Sequence, residues 1–177
     1  MKTELRRIYS RLRADFCGRS RALADIALTD RAVSLLGGYD SFFVYFSFGS
    51  EADTHRLIES LLSLGKRVFL PRTEGKNMVA VPYFGGELSK GAFGIPEPRG
   101  SAYSGDIDVT ITPLLAVDGQ GYRLGYGGGY YDRFFKDRAT LRVGFGYDFQ
   151  LCGDVQRDEW DKPLDMFISQ SEVKYFN

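Results

Sequence analysis

Between residues 123 and 133 the chain reads RLGYGGGYYDR. Gly125, Gly127, Gly128 and Gly129 free the backbone N–H groups to point together and let the chain lie close against a phosphate. Arg123 offers a planar guanidinium to phosphate oxygens, and Asp132 offers a hard oxygen to the Mg²⁺ that accompanies them. Tyr126, Tyr130 and Tyr131 supply flat faces for a planar ligand. A glycine turn that holds no ligand is the competing reading. Two familiar nucleotide signatures fail here. No Lys-Ser or Lys-Thr follows the glycines, as GxxxxGK[ST] requires, and Tyr130 stands where GxGxxG needs a third glycine.

The elements around this stretch must bring it to the end of a sheet. A strand is expected over 107–113, and YYDRFFKDR opens a helix near Tyr130. Ligands of open α/β sheets gather beyond the carboxyl ends of the strands, and a helix N-terminus there favours an anion. Upstream, Leu5, Ile8, Tyr9, Leu12 and Phe16 form one apolar stripe of a helix over 3–17. At 100° per residue, Lys2, Arg6 and Arg13 fall on a single line beside that stripe. A second helix over 20–36 ends at Gly37 and Gly38. FFVYFSF (42–48) reads as a buried strand, and Asp53 or Thr54 caps a helix that runs to Gly65. KRVFLP is a strand stopped by Pro71, and 78–84 is another that Pro82 confines to an edge or bulge. Residues 85–100 carry five glycines and read as a long loop of the kind that often serves function. Strands follow at 141–147 and, as the last, at 164–170. Alternating strands and helices define an α/β fold with a mostly parallel sheet covered on both faces.

The bulk numbers set bounds. A length of 177 residues suits one domain over 1–177, and 44% hydrophobic with 26% charged residues argues against disorder. Lys plus Arg and Asp plus Glu are 23 each, and this balance argues against a general nucleic-acid binder. The charge is uneven: residues 1–21 hold seven basic side chains against Glu4 and Asp15. Cys17 and Cys152 lie far apart and there is one histidine, so a structural zinc site is not expected. MKTELRRIYSRLR lacks the apolar stretch of a signal peptide, and there is no run of 18 apolar residues. A cytoplasmic protein with reduced thiols and no membrane partner is expected.

The run D-G-x-G-x-R-L-G-Y-G-G-G-Y-Y-D-R at 118–133 resembles the signature of the 5-formyltetrahydrofolate cyclo-ligases, also called 5,10-methenyltetrahydrofolate synthetases. Further family patterns stand in order. They are K-x-x-x-R at Lys2 and Arg6, F-S-x-x-x-E-x-x-T from Phe46 to Thr54, and G-K-x-V-x-x-P-R from Gly65 to Arg72. G-I-x-E-P follows at Gly94 to Pro98, and D-x-P-L-D at Asp161 to Asp165. The resemblance implies a three-layer α/β/α, Rossmann-like domain. It also implies an enzyme that uses ATP as co-substrate and Mg²⁺ to turn 5-formyltetrahydrofolate into 5,10-methenyltetrahydrofolate, ADP and phosphate. Phosphorylating the formyl oxygen makes it a leaving group, and the neighbouring amine nitrogen of the folate then attacks the formyl carbon. The protein aligns the substrates and neutralises charge.

Carried over by position, the resemblance assigns Lys2, Arg6 and the stretch Arg123, Leu124, Gly125, Tyr126, Gly127, Gly128, Gly129, Tyr130 and Tyr131 to ATP, with Arg123 catalytic. It assigns Phe46, Glu51, Tyr126, Gly127, Gly128, Gly129 and Tyr130 to the folate, and Asp132 and Asp161 to the metal. Gln150 is a weaker candidate. Read without the family, Lys2 and Arg6 are a solvated basic face, Phe46 is core, Glu51 is a surface residue, and either Asp is a cap or a surface charge. Some members carry Arg and Lys where this chain has Tyr126 and Gly128, which leaves more of the phosphate work to Lys2, Arg6 and Arg123. Many place a His before the second Asp, where Trp160 stands here. His55 reads as a surface residue. A monomer or weak dimer is expected. Two rivals remain: a non-catalytic folate-binding protein on the same scaffold, and a nucleic-acid contact through the Arg-Gly-Tyr stretch.

Overall fold

Strand β1 (Ser41–Val44) alternates its side chains between two cores. Phe42 and Val44 face one and Phe43 the other, the period of two that a strand dictates. The computed structural model describes residues 2–176. Helices α1 (Lys2–Asp15) and α2 (Gly18–Leu36) precede β1. Helix α3 (His55–Ser63) follows it, then β2 (Arg67–Glu74), β3 (Asn77–Tyr83), β4 (Ser89–Lys90), β5 (Pro96–Glu97) and β6 (Val109–Thr112). The chain continues with β7 (Ala116–Val117), β8 (Arg123–Leu124), α4 (Tyr130–Phe135), β9 (Leu141–Phe145), β10 (Met166–Ile168) and β11 (Val173–Tyr175).

The main sheet has seven strands in the order β11-β10-β9-β6-β1-β2-β3. The pairs from β10 to β2 are parallel, and β3 and β11 are antiparallel edges. Ala24, Leu28, Ala32 and Leu36 of α2 and Leu57, Ile58 and Leu61 of α3 cover one face. Phe134 and Phe135 of α4 cover the other, against Phe43 and Phe69. The mostly parallel three-layer α/β/α expectation is borne out.

Several boundaries differ from the sequence reading. β1 ends at Val44, because the Thr54 hydroxyl takes the Tyr45 carbonyl and the Ser47 N–H and turns the chain out of the ladder. β2 runs through Pro71: pairing with β1 ends at Phe69, so the missing N–H falls beyond that ladder, opposite Ala80 of β3. Pro82 does lie on an edge strand. The 85–100 segment is not a bare loop, since β4 and β5 pair within it. A short β7–β8 pair precedes the glycines, and β11 follows the strand expected to be last.

Candidate functional site

From β1 the chain passes through α3 to β2 on one side, while β6 lies on the other side of β1. The loops after β1 and β6 therefore diverge at the carboxyl ends of their strands, the switch point where α/β sheets take ligands. Glu51 sits in the first of these loops. The second leads through β7 and β8 to the glycines.

The basic line of α1 runs along the glycine stretch. Arg6 Nε donates to the Gly125 carbonyl at 2.9 Å. Gly127 has φ +99°, and a Cβ there would stand 3.4 Å from the Arg6 guanidinium. A side chain at this position would need a disfavoured backbone and crowd the arginine. Lys2 Nζ reaches Asp161 at 3.0 Å and also Asp158. Desolvation works against the Lys2 charge, but the two carboxylates outweigh it and hold its pKa above the usual value.

Arg123 has a nearly buried side chain. Its Nη2 meets Asp132 Oδ1 at 3.1 Å and its Nη1 donates to the Lys162 carbonyl. Lys162 N–H donates to the same Asp132 oxygen at 3.1 Å, which brings the segment after Asp161 onto Asp132. Asp132 Oδ2 and Asp161 Oδ1 have no hydrogen-bond partner among the described residues. Two adjoining carboxylates with a free oxygen each fit a hard cation that keeps waters and takes substrate oxygens. No cluster of three or more His, Cys, Asp or Glu stands ready for a metal among the described residues.

On the other flank, Tyr126 is 56% exposed, yet its hydroxyl is anchored by two hydrogen bonds. It donates to Glu51 Oε1 at 3.0 Å and accepts from Arg13 Nη2. Burial, then the Glu51 charge, pushes the phenol up to about 12, so it keeps the proton it donates. Glu51 is buried, and its Oε2 accepts the Phe48 N–H at 2.8 Å. Desolvation raises its pKa, while Phe48, Arg13 and Tyr126 pull it back down. Arg21 of α2 clamps the backbone of the same loop at the Gly49 and Glu51 carbonyls.

The structure thus brings Lys2, Arg6, Arg123, Asp132, Asp161, Glu51 and the glycines into one connected set. Other candidates stand apart from it. Leu124 faces a core of Leu115, Ala116 and Val155, so only its backbone is available. Tyr131 packs on Phe43 and Phe135 beneath the Arg123 guanidinium. Phe46 is stacked on His55, with ring centroids 4.1 Å apart. Gln150 is buried, and its amide is fully engaged with the Leu114 and Leu115 carbonyls and the Tyr147 N–H. Helix α4 is only six residues long, so its dipole offers an anion less than the sequence suggested. Trp160 is 69% exposed. Tyr130 meets the ring of Phe93, from the 85–100 segment, edge-on at 6.4 Å. Arg13 was not singled out as a site residue from the sequence. Its place on the line of Lys2 and Arg6 was the available signal.

Fold and site define a three-layer α/β protein whose switch-point loops gather arginines and carboxylates. The 5-formyltetrahydrofolate cyclo-ligase family model matches residues 1–170, and the chain belongs to that family of ligases. It is 38% identical to the 5-formyltetrahydrofolate cyclo-ligase of Escherichia coli over 141 residues, which is 73% of this chain and 78% of that protein. It is 30% identical to the Haemophilus influenzae cyclo-ligase over 177 aligned positions, covering 93% and 92% of the two chains. The solution structure of Aquifex aeolicus 5,10-methenyltetrahydrofolate synthetase superposes with a TM-score of 0.88 at 31% identity, covering 98% of this chain and 92% of that one. The resemblance read from the motifs is borne out. Membership implies ATP as co-substrate and small-molecule substrates. No helix among the described residues is long and apolar enough to cross a membrane.

Proposed function

We propose that this chain converts 5-formyltetrahydrofolate and ATP to 5,10-methenyltetrahydrofolate, ADP and phosphate as a single domain over 1–177. It does so in the cytoplasm, as a monomer or weak dimer, without nucleic-acid partners. The observation that carries this reading is the connected set itself: cations and carboxylates on one flank of the glycine stretch, and a buried carboxylate on the other.

Lys2, Arg6 and Arg123 take the ATP phosphates, with the backbone from Arg123 to Tyr131 approaching them closely. Arg123 stabilises charge on the phosphoryl group as it passes to the formyl oxygen. Asp132 and Asp161 would hold Mg²⁺, which would neutralise phosphate charge there. Glu51 accepts N–H groups of the folate ring, with Phe46 and the stretch from Tyr126 to Tyr130 alongside. To face phosphate, Lys2 must leave Asp158 and Asp161, and Arg123 must ease from Asp132. The chain's role is alignment and charge neutralisation, and no general base is required of His55.

Near-ultraviolet absorbance tests the reading on purified protein with 5-formyltetrahydrofolate and Mg²⁺, with ATP present or omitted. Growth of the methenyl chromophore only with ATP, and its loss in Asp132→Ala, is the expected result. Folate binding with a flat trace from the folded wild type would instead favour a binding protein.

A further inference from the structure

Helix α1 buries one residue, and that residue is an arginine: Arg13 is 5% exposed. A buried guanidinium is unfavourable unless its N–H groups are met. Here they are met from three directions. Nε donates to Ser50 Oγ at 3.2 Å, in the loop after β1. Nη1 donates to the Leu114 carbonyl at 3.1 Å, in the loop after β6. Nη2 donates to the Tyr126 hydroxyl, and the guanidinium lies 5.6 Å from that ring's centroid. All three acceptors sit at the diverging loops of the switch point. No carboxylate within 4 Å pairs with Arg13 among the described residues; its charge reaches Glu51 through the Tyr126 hydroxyl.

A rigid fork suits this task as a lysine would not, because one ammonium cannot face three acceptors set in a plane. The Leu114 carbonyl is also held by Gln150, which fixes one anchor of the fork from behind. The hydroxyl of Tyr126 has one proton and gives it to Glu51, so it can only accept from Arg13. The chain of bonds therefore has a fixed sense, and each bond polarises the next.

We propose that Arg13 is a positioning residue for the folate end of the site, locking the Tyr126 ring and the Glu51 carboxylate to each other across the switch point. This rests on the reading that Glu51 and the glycine stretch receive the folate. Arg13 touches no substrate. It sets where Tyr126 and Glu51 stand before the folate enters.

The test compares Arg13→Met, Arg13→Lys and Tyr126→Phe, alone and in pairs, by steady-state kinetics and by hydrogen exchange of the ligand-free protein. Arg13→Met is expected to raise KM for 5-formyltetrahydrofolate about tenfold while KM for ATP moves less than about twofold. Arg13→Lys should recover part of that loss. Tyr126→Phe should give a similar rise, and the double variant should add little to it. Exchange of residues 47–51 and 125–129 should increase together in each Arg13 variant. An unchanged folate KM, equal rises in both KM values, or additive effects would overturn the proposal. If Arg13→Met does not fold, Arg13→Lys with Tyr126→Phe decides by the same non-additivity. If the wild type neither binds nor converts the folate but both segments still loosen together, the locking role stands and the substrate reading fails.

Discussion

At the Lys2 flank, cations and carboxylates meet head-on: Lys2 with Asp158 and Asp161, and Arg123 with Asp132. At the Glu51 flank, Arg13 pairs with no carboxylate among the described residues, and a tyrosine hydroxyl stands between the two charges. The difference follows from what each flank is proposed to receive. A phosphate and its cation bring opposite charges, so a flank of ready-made ion pairs can exchange partners without leaving a charge bare. A neutral pterin ring brings hydrogen-bond donors and no such counter-charge. Its carboxylate must be kept in place and ionised by groups that stay put. Direct pairs can be opened, whereas a relay through a hydroxyl anchored at both ends is held.

The strongest break in this comparison is Arg123→Met. It removes the cation proposed to face the transferring phosphate, and kcat is expected to fall about a thousandfold. A loss confined to KM for ATP would reduce Arg123 to a binding role.

Next comes Glu51→Gln. Its pKa is raised in the fold, chiefly by desolvation. The neutral form is therefore favoured in the folded state, and ionisation lowers stability as pH rises from the unfolded value through the folded one. A neutral isostere should leave Tm at pH 7 unchanged or higher, while KM for the folate rises about tenfold or more. The wild type's folate affinity should fall as pH drops through the raised pKa, and the variant should lack that limb. The groups facing this carboxylate are Arg13, Tyr126, Tyr45 and Tyr131. The phenols stay protonated across the range, so they do not supply the limb. A Tm several degrees lower in the variant would mean that the carboxylate stabilises the fold instead.

Gly129→Ala strikes the joint between the flanks. Gly129 has φ +65° at the start of α4, and a Cβ would stand 2.8 Å from Arg133 Nη1. The left-handed backbone costs about 1–2 kcal/mol for alanine, or a few degrees of Tm by thermal melt. Both KM values should rise if both substrates share the stretch as proposed. A rise in one alone would separate the flanks.

Asp158→Asn is the smallest. Asp158 is exposed and pairs with Lys2, so it would compete with the phosphate proposed for that ammonium. Its loss should leave Tm unchanged, since exposed pairs contribute about 0–1 kcal/mol, and lower KM for ATP about twofold. A higher KM would show that Asp158 positions Lys2 rather than distracts it.

Much of this was legible in the sequence where local rules govern. Periodicity placed α1, the paired glycines Gly37 and Gly38 ended α2, and the family motifs gathered Lys2, Arg6, Glu51, Arg123, Asp132 and Asp161. What escaped depends on tertiary contact. Pro71 reads as a stop, yet β2 passes it because β1 has already left the ladder. The β7–β8 and β11 strands are two or three residues long, too short for a period to appear. Gln150 reads as a site residue, but the fold uses its amide to pin backbone. Arg13 looks like any basic residue on a helix, and only the arrival of Ser50, Leu114 and Tyr126 around it sets it apart.

The central claim is that one glycine stretch serves both flanks, so ATP is cleaved only with folate in place. The direct measurement is phosphate released per methenyltetrahydrofolate formed, alongside phosphate release with folate omitted. The account predicts one phosphate per product and no release above background without folate. Steady ATP cleavage in the absence of folate, or phosphate in excess of product, would contradict it.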